Sequence, residues 1–161
     1  MNYLIDGHNL IPKLPGLDLR LIDDEMKLVR LLQEYCRLSR NRVEVYFDNA
    51  PLGQAGRQKY STVVAYFILQ GRTADDAIRQ RLVSLGKGAR NWSVVSSDQQ
   101  VLSEARAVHA GAIPSEQFAR VLLKVIRNIT EAEKPPDIVP SAEEIAAWQA
   151  EFGRRSRKSK P

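Results

Sequence analysis

Aspartates stand at four places in this sequence where a short apolar run stops or a helix opens. The segments are Leu4-Ile5-Asp6-Gly7-His8-Asn9, Val45-Tyr46-Phe47-Asp48, Thr73-Ala74-Asp75-Asp76 and Val94-Val95-Ser96-Ser97-Asp98. If the apolar runs are strands of a parallel sheet, their carboxyl ends share one edge, and acids far apart in sequence meet there. Carboxylates brought together repel unless a cation joins them. A divalent metal site is the chemistry this pattern points to, with Mg²⁺ or Mn²⁺ as the ions that favour carboxylate and water oxygens.

Each of these residues also has a local explanation. Asp6 before Gly7 suits a turn, and so does Asp48 before Asn49-Ala50-Pro51, which leaves Asp48 open between turn, metal and substrate contact. Thr73-x-x-Asp76 has the form of a capping box, whereas Asp75 has no such local role. Ser97 or Asp98 suits a helix N-cap. Asn9 could orient a water, bond a phosphate or shape the loop after Asp6. His8 has no second histidine at a metal-binding spacing, which leaves substrate contact or packing, and His109 sits at a predicted helix end where the dipole explains it.

The elements that must position these residues form an alternating pattern. Tyr3-Leu4-Ile5 reads as a buried central strand, Val43 to Phe47 as a second, Val63 to Leu69 as a third and Trp92 to Ser96 as a fourth, with a short edge strand at Gly111-Ala112-Ile113. Between them lie helices at about Asp23–Ser39, Ala74–Leu85 with Thr73 as N-cap, Asp98–Val108 and Ser115–Ile129. The segment from Asp6 to Leu17 reads as a loop, and Gly53-Gln54-Ala55-Gly56-Arg57-Gln58-Lys59 as a mobile basic loop. Pro135-Pro136 marks a linker, and Ser141-Ala142-Glu143-Glu144 has the capping-box form opening a last helix through Phe152. Strands alternating with helices predict an α/β fold with a parallel sheet covered on both faces.

At 161 residues the chain is expected to be one domain, and 43% hydrophobic residues allow a full core. A net charge of +5 and a pI near 9.5 favour a polyanionic partner. A lone cysteine, Cys36, gives neither a disulfide framework nor a Cys-based zinc site. The apolar start is too short for a signal peptide and no apolar run reaches membrane length, so a soluble protein of the cytoplasm, with no membrane partner, is expected. There is no G-x-G-x-x-G after a strand, no G-x-x-x-x-G-K-[ST] and no G-x-S-x-G, so nucleotide-cofactor and serine-hydrolase chemistry are excluded. A D-x-D phospho-aspartate site fails because position 8 is histidine.

Asp6-Gly7-His8-Asn9 ending the first strand, Thr73-Ala74-Asp75-Asp76 opening a helix and Val95-Ser96-Ser97-Asp98 together resemble the NYN domain of the PIN-like nuclease superfamily, and within it the YacP-like branch. The resemblance spans about residues 2–129, and it departs from the usual D-G-Y-N form at His8. It implies a three-layer α/β/α sandwich with a mainly parallel central sheet over residues 1–130, followed by a linker and C-terminal helix over 131–153 and a basic tail over 154–161. It further implies an endoribonuclease dependent on Mg²⁺ or Mn²⁺, with Asp6, Asp75 and Asp98 as metal-binding catalytic acids, Asp76 adjoining and Asn9 supporting. The partner expected is RNA, mRNA before other classes, with the ribosome as a body that could present it. By position, Arg57, Lys59, Arg72 and Arg79 are candidate phosphate contacts, with His8, Asp48 and Ser97 as further substrate contacts. The rival expectation is a noncatalytic RNA-binding or ribosome-associated module on the same fold.

Overall fold

The structure, a computed structural model, describes residues 1–15 and 23–132. The predicted Pro135-Pro136 linker, the helix from Ser141 and the basic tail lie outside the described residues. The chain divides into two compact units, residues 1–127 and 128–161, and every candidate site residue belongs to the first.

Six strands form one sheet in the order β3-β4-β2-β1-β5-β6. They are β1 (Asn2–Asp6), β2 (Arg42–Ala50), β3 (Gly56–Tyr60), β4 (Val63–Leu69), β5 (Trp92–Ser96) and β6 (Gly111–Pro114). All neighbours are parallel except β3, which runs antiparallel to β4. The helices are α1 (Gly7–Leu10), α2 (Asp23–Ser39), α3 (Ala74–Leu85), α4 (Gln99–Ala107) and α5 (Ser115–Ala132).

Alternation along the strands divides the core into two layers. Tyr3, Ile5, Val43, Val45, Phe47, Val63, Ala65 and Val95 face one side, where Leu28, Val29 and Leu32 of α2 and Phe118, Ala119 and Leu122 of α5 close over them. Leu4, Tyr46 and Val94 face the other, against Ala74, Ile78 and Leu82 of α3 and Val101 and Ala105 of α4. This is the three-layer α/β/α sandwich expected from the sequence. Central β1 is flanked by β2 on one side and β5 on the other, so the order of the sheet reverses at β1 and a crevice opens at its carboxyl end. Asp6 sits at that point.

Two segments differ from expectation. Gly56–Tyr60, read from sequence as part of a mobile loop, is an antiparallel edge strand pairing Arg57 with Tyr66 and Lys59 with Val64. Its first four residues are exposed, so the strand carries no hydrophobic alternation to reveal it; what orders it is the otherwise unpaired edge of β4 and a tight return through Ser61 at φ 60. The segment after Asp6, expected to be a loop, folds at once into α1 and a 3-10 turn at Ile11–Lys13, because Leu10 and Ile11 are drawn into the core.

Candidate active site

Asp6 ends β1 and caps α1. Its Oδ1 accepts from the Asn9 backbone N–H at 3.3 Å and its Oδ2 from Asn9 Nδ2 at 2.9 Å. The same Asn9 amide donates to Ser96 Oγ at 3.2 Å, tying the end of β1 to the end of β5. Ser96 Oγ in turn accepts from Asp98 N–H at 3.1 Å, and Asp98 caps α4 by accepting from Gln100 N–H at 2.8 Å and Val101 N–H at 3.4 Å through Oδ1. A cap of this kind contributes about 1 kcal/mol. Asp98 Oδ2 takes no part in those bonds.

Gly7 is required by close approach. A Cβ there would stand 2.6 Å from Phe47 Cδ1 and nearer still to Cε1, and Phe47 is fully buried. The Asp6 turn therefore rests directly on β2.

At the end of β2, Asn49 adopts φ 62 and the strand slips register against β4 between Phe47 and Ala50. Asp48 accepts a hydrogen bond from Ala74 N–H at the first turn of α3. That bond holds the helix start, and with it Asp75, against the carboxyl edge. His8 lies between two elements: its Nδ1 accepts from Asp48 N–H at 3.3 Å, and its Nε2 stands 3.4 Å from Glu25 of α2. Its hydrogen bond with Glu25 raises the imidazole pKa, against the opposing effect of burial.

Asp6 and Asp75 perturb each other's carboxyl groups. Burial raises the Asp6 carboxyl first, then its hydrogen bond to Asp75 and the charges of Asp75 and Asp48, so its pKa is pushed up to about 7. Asp75 is also raised, by burial and by the charges of Asp98 and Asp48, while accepting from Asp6 and facing Arg79 lower it. Four acids from β1, β2, α3 and the β5–α4 junction feel one another electrostatically at this edge.

The raised carboxyl of Asp6 has a thermodynamic consequence. A folded Asp6 that holds its proton to about pH 7, against about 3.9 unfolded, binds more protons than the unfolded chain across that window. Stability should therefore fall as pH rises from about 4 to about 7, by on the order of 2 kcal/mol from this pair. His8, also raised, acts in the same direction, so the expected result is a pH-dependent melting curve whose slope is reduced, not reversed, in Asp6→Asn. An equal slope in the variant would remove Asp6 as the cause.

Other candidates stand apart from this cluster. Asp76 N–H donates to Thr73 Oγ1 at 3.1 Å, so Thr73 caps the helix, whereas the Asp76 carboxylate, read from sequence as the other half of a capping box, pairs instead with Arg79 at 3.0 Å. Arg79 is also bound by Glu104 of α4. Ser97 is exposed beside Asp98, and Arg72 is exposed on the turn before α3. Ser96 and Glu25 were not singled out from sequence. The available signal for Ser96 was a hydroxyl closing the otherwise apolar run Val94-Val95, which ends fully buried.

The sequence profile of the YacP-like NYN domain matches residues 3–151 of this chain. The chain belongs to the YacP-like NYN family. Among proteins of curated function, none matches it. Two crystal structures of Rae1 (YacP) from Bacillus subtilis are similar to this YacP-like chain. A tryptophan-to-leucine mutant of Rae1 is 25% identical, with TM-score 0.67, over 81% of this chain and 79% of that one. The other Rae1 structure is 24% identical, with TM-score 0.68, over 96% of this chain and 95% of that one. The NYN family is a family of nucleases acting on RNA within the PIN-like superfamily, whose members generally use divalent metals. Among the described residues of this NYN domain, no three Asp, Glu, His or Cys side chains lie close enough to enclose an ion, and no helix is long and apolar enough to cross a membrane. The donor set nevertheless suits a divalent ion: the carboxyl pKa values of Asp6 and Asp75 are both raised, in part by the charges of neighbouring acids, and a cation would relieve the same repulsion.

Proposed function

We propose that this YacP-like protein is a divalent-metal-dependent endoribonuclease whose site is the acid cluster at the carboxyl edge of β1. The observation that carries the reading is the gathering of carboxyl groups at this edge: Asp6, buried at the end of β1, and Asp75 both have raised pKa values, with the charges of Asp48 and Asp98 acting on the pair. Binders of polyanions gain nothing from gathering negative charge in a crevice; an enzyme that must hold a cation against a phosphate does.

Asp6, Asp75 and Asp98 would hold Mg²⁺ or Mn²⁺, with Asp76 next in sequence but turned to Arg79. When bound, the ion supplies Lewis acidity toward the scissile phosphate and lowers the pKa of water. Asn9 acts as a positioning residue, fixing both oxygens of Asp6 relative to Ser96 and so to Asp98. His8 and Asp48 brace the crevice wall between α2, β2 and α3. Water attack on phosphorus, with the bond to the 3′ oxygen breaking and that oxygen taking a proton, leaves a 5′ phosphate and a 3′ hydroxyl.

The rival reading is a noncatalytic RNA-binding module on the same fold, favoured by the lack of three enclosing donors among the described residues. End-labelled RNA incubated with wild type and Asp98→Asn in Mn²⁺, Mg²⁺ and EDTA separates the two. Metal-dependent cutting with a 5′ phosphate product, reduced at least tenfold in a folded Asp98→Asn, is expected. Binding without cutting in any metal, on naked mRNA and on mRNA presented by ribosomes, would replace the enzyme with the binder.

A further inference from the structure

Helix α3 lies over β1 and β2, and the sheet continues beyond it through β4 and β3. On the α2 side, Val63 and Ala65 of β4 are closed over; on the α3 side, Val64, Tyr66 and Ile68 remain half-buried. Among the described residues, the sheet therefore presents an open face on one side of its β3–β4 edge. Arg57 and Lys59 pair directly with Tyr66 and Val64, which places both cations on this face. Both are exposed, and neither is held by a carboxylate among the described residues. Glu44, in register with Val64 on this face, is already paired with Arg81, whose Nε lies 3.0 Å from Oε2.

The Tyr66 ring stacks on Tyr46 of β2, with centroids 4.9 Å apart and planes 8° from parallel, and its hydroxyl donates to Glu44 at 3.4 Å. The ring is thus held upright with its other face toward β3. Residues two apart on a strand stand about 7 Å from each other, close to the separation of successive phosphates in an extended single strand. The row also has a direction. Gly56 pairs with Phe67 and Tyr60 with Val63, so Arg57 is the cation nearer the carboxyl edge, where exposed Arg72 follows β4 and Asp48 holds the start of α3.

We propose that this open β3–β4 face is a track for one strand of RNA leading to the acid cluster. Arg57 and Lys59 take successive phosphates, and an unpaired base stacks on Tyr66. The proposal rests on the reading of the protein as acting on RNA, and it adds the strandedness of the substrate: a duplex keeps its bases stacked on one another and offers no ring face to Tyr66.

The test is binding of a short fluorescent single-stranded RNA in EDTA across a salt series, by wild type, Arg57→Gln/Lys59→Gln and Tyr66→Leu. The double variant alters only exposed side chains and should lower the slope of log affinity against log salt by about 1.4, two phosphates' worth. Tyr66→Leu should leave the slope unchanged and weaken single-strand binding about tenfold, with duplex RNA unaffected. An unchanged slope in the double variant, with wild type binding RNA, overturns the track and leaves the nuclease reading standing. A wild type that neither binds nor cuts RNA overturns both. Equal loss of duplex and single-strand binding in Tyr66→Leu overturns the stacking role.

Discussion

Asp6→Asn is expected to lower RNA cleavage about a hundredfold to a thousandfold while raising the melting temperature of the metal-free protein. The two effects have one cause. Asp6 is 4% exposed and lies among the charges of Asp75 and Asp48, which is why its carboxyl keeps a proton to about pH 7. An amide in its place still caps α1 by accepting from Asn9 N–H; its NH2 gives up the bond that Asp6 Oδ2 accepts from Asn9 Nδ2, but it carries no charge to be desolvated or repelled, and that second effect is the larger above pH 7. At pH 8, where the wild type must hold ionised acids together, the gain should be on the order of 1 kcal/mol, or about 2–4 °C. Loss of that charge removes a ligand from the proposed cation site, so activity falls. Thermal melts and cleavage assays on one preparation decide the matter; a variant that loses stability together with activity would make Asp6 a structural residue.

Gly7→Ala should be the most disruptive single methyl in the crevice. The added carbon meets the buried ring of Phe47, which is packed on the α2 side of the sheet and has His8 and Phe67 as ring neighbours at 5.6 and 5.4 Å. Overpacking of this kind costs about 1–3 kcal/mol. Relief can come only by moving Asp6 and α1 away from β2 or by turning Phe47 beneath Asp48, and either displaces an acid of the cluster. Cleavage by the fraction that remains folded should therefore fall beyond what lost stability explains. Gly88→Ala is the matched control, since a Cβ there meets nothing within 4 Å. Urea unfolding of both variants, with cleavage measured well below the midpoint, gives the comparison, and a fully active Gly7→Ala would show that the Asp6 turn is free to move.

The acids were legible in the sequence because a parallel sheet puts strand ends on one edge, and apolar runs such as Leu4-Ile5 and Val94-Val95 show where strands end. The contacts that hold the acids were not. Asn9 reaches Ser96 across 87 residues, and Asp48 reaches Ala74 N–H across 26, and neither bond leaves a periodic signal in the chain. Asp75 and Asp76 show the limit of local rules: adjacent on one helix turn, they differ only in direction, Asp75 toward Asp6 and Asp76 toward Arg79. Thr73 identified the helix start, and its bond to Asp76 N–H is the local feature that rule describes. Edge strand β3 escaped because its pairing is dictated by β4 and not by its own residues.

The placement of β1 between β2 and β5 bears on how the protein comes into being on a translating ribosome. Of the six strands of this sheet the first in sequence is a central one, yet its second neighbour arrives only with Trp92–Ser96, and the Asn9 bond to Ser96 waits for the same stretch. Pairings of such long separation form late and cooperatively. A chain ending before Asp98 would have the first three acids of the cluster without the fourth, so under the proposed function truncated products should be inert toward RNA.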